Sequence, residues 1–230
     1  MSEKDNIRRD DALRTLKELE QAGSDDGSVL AKLFNEAAGV LRETGQYKSD
    51  ISRFARLAHT AQSTEVRRAA VETLGVIAVE GGPYSETATT ALAVALEGGA
   101  AAEHPHSSPP DTDAGVRLRA SVWLGQVGRR APEGPEAFNC FMALSYAAKN
   151  DADQETRLAA IVGLGNIGKA KLAQWGEETI EALNAARDET NPALNKLIKR
   201  EVGEITAALF ELQMRRAGMG GAAGLSPAQS

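Results

Sequence analysis

Three stretches of this chain align with one another without a gap: STEVRRAAVETLGVIA at 63–78, DAGVRLRASVWLGQVG at 113–128 and DQETRLAAIVGLGNIG at 153–168. A weaker fourth copy, NPALNKLIKREVGEIT, occupies 191–206. Apolar residues recur in each copy at steps of four, four and three, which is one face of an α-helix. The columns are Val66, Ala70, Leu74, Ile77; Val116, Ala120, Leu124, Val127; Thr156, Ala160, Leu164, Ile167; and Leu194, Ile198, Val202, Ile205. Thr156 is the polar exception. The first residue of every copy (Ser63, Asp113, Asp153, Asn191) is a good N-cap, whose side-chain oxygen can accept a free N–H of the first helical turn. Pro192 follows Asn191, where a missing N–H costs nothing.

A glycine follows the third apolar column each time: Gly75, Gly125, Gly165 and Gly203. Glycine within a helix costs about 1 kcal/mol relative to alanine. Four recurrences in one register therefore imply a compensating gain, and the expected gain is close approach of a neighbouring helix backbone. An arginine recurs as Arg67, Arg117 and Arg157, with Asn195 in the fourth copy. It is read as an inter-repeat ladder in which each guanidinium bonds a neighbouring carboxylate or helix C-terminus. The competing reading is a basic stripe for an anionic ligand.

Behind each first helix lies a second amphipathic run: Tyr84–Glu97, Glu136–Lys149 and Glu177–Arg187. Turn signals at Gly81–Pro83 and Ala131–Pro135 separate the two helices of a unit; the third unit has a looser Lys169–Gly176 connection. One hairpin cannot bury its apolar face alone, so the units must stack. The fold expected is all-α, an α-solenoid of stacked antiparallel helical hairpins. The N-terminal helices, expected at Ile7–Gln21, Val29–Glu43 and Asp50–Ala61, form a capping region over 1–62. The repeat array spans 63–212, with a flexible Gly/Ala/Ser/Pro-rich insertion at 98–112 and a disordered tail at 213–230.

The pattern D-x-x-V-R-x-x-A-x-x-x-L-G-x-x-G resembles the HEAT-like repeat of the phycobilisome-lyase type. Asp113, Val116, Arg117, Ala120, Leu124, Gly125 and Gly128 match it, as do Asp153, Arg157, Ala160, Leu164, Gly165 and Gly168. The first copy departs at Ser63 and Ala78, and the fourth lacks the arginine. The resemblance covers residues 63–212 and implies a HEAT/armadillo-like superhelix. Such a repeat serves many unrelated roles, so it speaks to fold far more than to function.

Composition narrows the function classes. The 230 residues carry 26 Lys+Arg against 32 Asp+Glu, a net charge of -6. That balance disfavours a general affinity for nucleic acid. A single cysteine, Cys140, leaves no intramolecular disulfide framework and suits a reducing, cytoplasmic setting. It lies in an apolar run, FNCFMAL, and reads as core rather than nucleophile. No stretch is long and apolar enough for a membrane helix. Phosphate-loop, nucleophile-elbow and zincin motifs are absent, and Gly163–Gly168 (GLGNIG) falls inside a repeated helix rather than after a strand. No catalytic, metal or cofactor site is expected. His104 and His106 are a weak pair, separated by Pro105 and without further nearby ligands.

The expected function is a non-enzymatic scaffold or adaptor that binds another protein. In HEAT-like arrays the second helices line the concave surface, so the expected contacts are Glu86, Thr90, Asn139, Tyr146, Glu178 and Glu181. The acidic balance suits a partner with some basic surface. Two other classes follow from the resemblance: a bilin-lyase-like chromophore-handling subunit, and a nucleic-acid binder similar to the HEAT-like DNA glycosylases. The latter needs a cationic groove and stacking aromatics, for which Trp123 and Trp175 are the available side chains.

Overall fold

A computed structural model describes residues 3–23, 26–43, 50–98, 109–131 and 134–217. Ten α-helices and no strand occur among them. They are α1 (Glu3–Leu19), α2 (Gly27–Glu43), α3 (Ile51–Thr60), α4 (Thr64–Glu80), α5 (Ser85–Glu97), α6 (Ala114–Arg130), α7 (Pro135–Asn150), α8 (Gln154–Ala170), α9 (Leu172–Ala185) and α10 (Pro192–Arg216). His104, His106 and most of the expected insertion lie outside the described residues, as does the tail from 218 onward.

The four repeats become α4, α6, α8 and α10, and the N-caps are made as the residue types require. Ser63 Oγ accepts from Val66 N at 3.4 Å, Asp113 Oδ1 from Val116 N at 3.0 Å, Asp153 Oδ2 from Thr156 N at 2.8 Å and Asn191 Oδ1 from Leu194 N at 3.1 Å. Every apolar-column residue is buried except Val202 of the last repeat, which is half-buried. Each fully buried leucine or isoleucine contributes about 1.5–3 kcal/mol, so these columns form the spine of the core. Thr156 is tolerated there because its hydroxyl donates to Asp153 Oδ2 at 2.9 Å.

Packing follows the period. Along the first helices α2 packs on α4, α4 on α6, α6 on α8 and α8 on α10. Along the second helices α3 packs on α5, α5 on α7 and α7 on α9. The pairs α4–α5, α6–α7 and α8–α9 close as hairpins, and α1 rests on α2. In the α4–α5 turn Gly81 and Gly82 take φ of 74° and 96°, a region that side chains disfavour. The third hairpin departs from expectation. In place of a loose segment at 169–176, Lys171 alone breaks the helix with φ -119° and ψ 43°. No glycine or proline interrupts Leu172–Trp175, and both of these apolar side chains pack against the core, so helix α9 starts there. The last helix runs to Arg216, beyond the array boundary at 212, and Asp111 at the end of the insertion is anchored by Asp111 N–H to Ala95 O at 3.1 Å.

The caps make an acid limb of stability. Asp153 is held below the usual carboxylate range chiefly by the Thr156 N–H, against a smaller upward push from burial. A carboxyl depressed in the folded state stabilises above its unfolded pKa, and that contribution is lost as pH falls through the folded value. Asn caps a helix as well as Asp does. Asp153→Asn is therefore expected to lose less stability than the parent between pH 5 and about pH 3, read as the urea midpoint at each pH. Parallel acid limbs in the two proteins would show that Asp153 contributes no such dependence.

Candidate functional site

The glycine column resolves into a packing rule. Twelve residues after each N-cap lies the glycine; ten residues after the next N-cap lies the side chain it accommodates. Gly75 receives the ring of Trp123, Gly125 meets the backbone of Gly163, and Gly165 receives the carboxylate of Glu201. Only the middle one is the backbone approach expected from the sequence. The same register serves an indole, a helix backbone and a carboxylate because a missing Cβ leaves space for any of them. Glu201 is buried at 2% exposure and is compensated by Lys169 Nζ at 2.8 Å and Arg200 Nη2 at 2.6 Å. Gly203, in the last repeat, has nothing among the described residues within 4 Å of where a Cβ would stand.

The recurring arginines bridge successive layers. Arg67 Nε donates to Asp111 at 2.6 Å and Arg117 Nε to Asp151 at 2.8 Å, with side chains 10%/5% and 11%/4% exposed. Arg67 and Arg117 also bond main-chain carbonyls of Ala61 and Asp111. Arg157 lies 3.5 Å from Asp188 in a more open pair. The hydrogen bonds that Arg117 donates to Asp151 are the main reason its guanidinium is held above its ordinary pKa. The acidic partners belong to two D-x-D runs, Asp111–Asp113 and Asp151–Asp153. In each, the first aspartate receives the arginine and also accepts the second one's N–H, both at 2.8 Å. The sequence carried this signal, but an alignment that starts at the second aspartate leaves the first outside the motif. With their carboxylates engaged, these arginines form no stripe open to an anion.

Trp123 is likewise occupied: its ring fills the Gly75 notch and its Nε1 donates to Glu72 Oε2 at 2.8 Å. It lines a groove of about 480 Å³ between α4 and α6, whose charges are paired internally as Arg68–Asp113 (2.9 Å) and Arg119–Glu72. Cys140 is fully buried, and desolvation pushes its thiol well above the ordinary range, which makes it a poor nucleophile. Among the described residues no group of three or more His, Cys, Asp or Glu is placed to hold a metal. No helix among them is long and apolar enough to cross a membrane.

The second-helix row leaves a different surface. Glu86 and Thr90 of α5, Tyr146 of α7, and Glu178 and Glu181 of α9 are exposed, while Asn139 is half-buried. Thr90 is turned back on its own helix, its hydroxyl donating to Glu86 O at 2.9 Å. The structure adds Phe138, 49% exposed, to Tyr146 at 39%. Phe138, Met142 and Tyr146 are spaced by four and so share one face of α7. Phe138 reaches across to α9, where its ring lies 5.9 Å from Trp175, and Trp175 in turn lies 4.8 Å from Phe141. Trp175 Nε1 is buried without an acceptor among the described residues. The sequence does not single out Phe138, because its run, FNCFMAL, reads as apolar core; only the packing shows which phenylalanine faces outward.

Comparisons with protein-family models, with curated proteins and with solved structures return no match.

Proposed function

We propose that this chain is a non-enzymatic adaptor that binds another protein on the surface of α5, α7 and α9. On this reading the helices form a HEAT-like α-solenoid, and the second-helix row is its binding face. The rule that ties each glycine to the following layer supports the first part, because repeated layers produce an extended surface rather than an enclosed pocket. The observation that carries the second part is the exposed pair Phe138 and Tyr146, with the half-buried Met142 between them, beside the acidic α9. Aromatic side chains are the characteristic anchors of protein interfaces. Glu177, Glu178 and Glu181 on α9 are exposed, which suits a partner segment that combines apolar anchors with basic residues.

Crosslinking mass spectrometry in the native host tests this reading. Lys149 is exposed at the end of the α7 face and serves as the reporter. Crosslinks from Lys149 to one recurrent protein are expected in the parent and lost in Phe138→Ser/Tyr146→Ser, with the helical circular dichroism unchanged. Identical crosslinks in parent and variant would place the partner elsewhere and remove the proposal.

A further inference from the structure

The rule that fills three glycine notches also identifies an open one. Positions 9, 13 and 16 from the N-cap are Val71, Gly75 and Ala78 in α4, Ser121, Gly125 and Gly128 in α6, and Ile161, Gly165 and Gly168 in α8; all are buried. The equivalents on α10 are Lys199, Gly203 and Thr206, and all three are exposed. Lysine at position 9 sets α10 apart from α4, α6 and α8, since a position that is buried in those three has become charged and exposed. Beyond it the same face continues with Ala207 and with Phe210, which is 61% exposed. Helix α10 has 25 residues against 17 in α4, α6 and α8, and the extension carries that phenylalanine.

Gly203 and Phe210 are seven residues apart, so they lie two turns from one another on a single face, separated by about 10.5 Å. Among the described residues one is a notch without an occupant and the other a knob without a hole. We propose that α10 pairs antiparallel with α10 of a second copy of this chain across a two-fold axis. Each Phe210 then seats on Gly203 of the partner subunit, with Thr206 and Ala207 at the axis. Both halves of the contact are present on the same face, which is the self-complementarity that an isologous interface requires. A parallel pairing would set Phe210 against Phe210 and leave both notches empty. Charge gives no preference, since Lys196 and Lys199 come opposite a C-terminal turn that combines a negative dipole end with Arg215 and Arg216, and Arg200 and Glu211 are already paired within their own helix; the notch and the knob alone set the register. A single helix pair lies below the roughly 1,200 Å² of a standard interface, so the dimer dissociates on dilution.

Sedimentation velocity on the full chain over a wide concentration range tests the proposal. The weight-average mass is expected to climb from 24.3 kDa toward twice that value. Phe210→Glu is expected to remain at the monomer mass throughout, with unchanged helical signal, because Phe210 is not part of the core. Ala207→Cys is expected to form an interchain disulfide under mild oxidation, Cys140 being buried. Phe138→Ser, on the other row of helices, is expected to dimerise like the parent, which separates this contact from the proposed partner surface. A parent that stays monomeric at every concentration would overturn the proposal. So would a dimer that survives Phe210→Glu, or failure of Ala207→Cys to crosslink.

Discussion

Gly125→Leu is expected to destabilise the chain by about 4 kcal/mol or more, at the upper end of what a single substitution does. A Cβ at this position would stand 2.8 Å from the Cα of Gly163. Ordinary overpacking costs about 1–3 kcal/mol because neighbouring side chains rotate away. Here the obstacle is a backbone atom, so relief requires α6 and α8 to separate, exposing Leu124 and Leu164, both 0% exposed as they stand. Gly165→Leu is expected to cost less than Gly125→Leu, since the group displaced is the end of the flexible Glu201 side chain, although a buried charge must then find water. Gly39 provides the opposite case: it sits inside α2 with nothing among the described residues within 4 Å of a Cβ position. Gly39→Ala is expected to gain about 1 kcal/mol, the difference in helix propensity. Urea unfolding followed by far-ultraviolet circular dichroism measures all three. A Gly125→Leu midpoint equal to that of the parent would mean that α6 and α8 do not approach as described.

The contrast between these glycines shows what a sequence period can and cannot convey. Recurrence at one register reveals that each site lacks room for a side chain, and the N-cap and apolar columns reveal which helix face is inward. What fills the room is set by the following repeat at a different register, and those residues (Trp123, Gly163, Glu201) share no chemical character that an alignment would detect. Gly203 illustrates the limit from the other side: it keeps the column although no described residue lies within 4 Å of a Cβ there. The ladder was legible at its basic end, because Arg67, Arg117 and Arg157 fall within the copies. Its acidic end was not, since Asp111 and Asp151 precede the N-caps and Asp188 belongs to a differently shaped turn. For the surface, helix amphipathicity places Glu86, Tyr146, Glu178 and Glu181 outward, whereas on α7 Asn139 is half-buried and Phe138 exposed, the reverse of what polarity alone suggests.

Arg117→Ala is expected to cost about 3–5 kcal/mol, the magnitude that attends the loss of one partner from a buried ion pair. Asp151, with its side chain 4% exposed, would keep its negative charge out of water with only the Asp153 N–H still bonded to it, and the main-chain carbonyl of Asp111 would lose its donor. Arg157→Ala provides the internal comparison. Its pair with Asp188 is longer at 3.5 Å, with side chains 21% and 30% exposed, so solvent already screens the charges. A contribution of about 0–1 kcal/mol is expected there. The double variant Arg117→Leu/Asp151→Leu separates the cost of stranding a charge from the net worth of the pair. Removing both charges is expected to recover a large part of the Arg117→Ala loss, though not all, because Asp151 also satisfies the N–H of Asp153. The same chemical-unfolding midpoints measure the series. If Arg117→Ala and Arg157→Ala both cost under about 1 kcal/mol, the ladder merely decorates layers held together by their apolar columns. If Arg117→Ala alone is severe, the two D-x-D runs fix the spacing of one hairpin on the next.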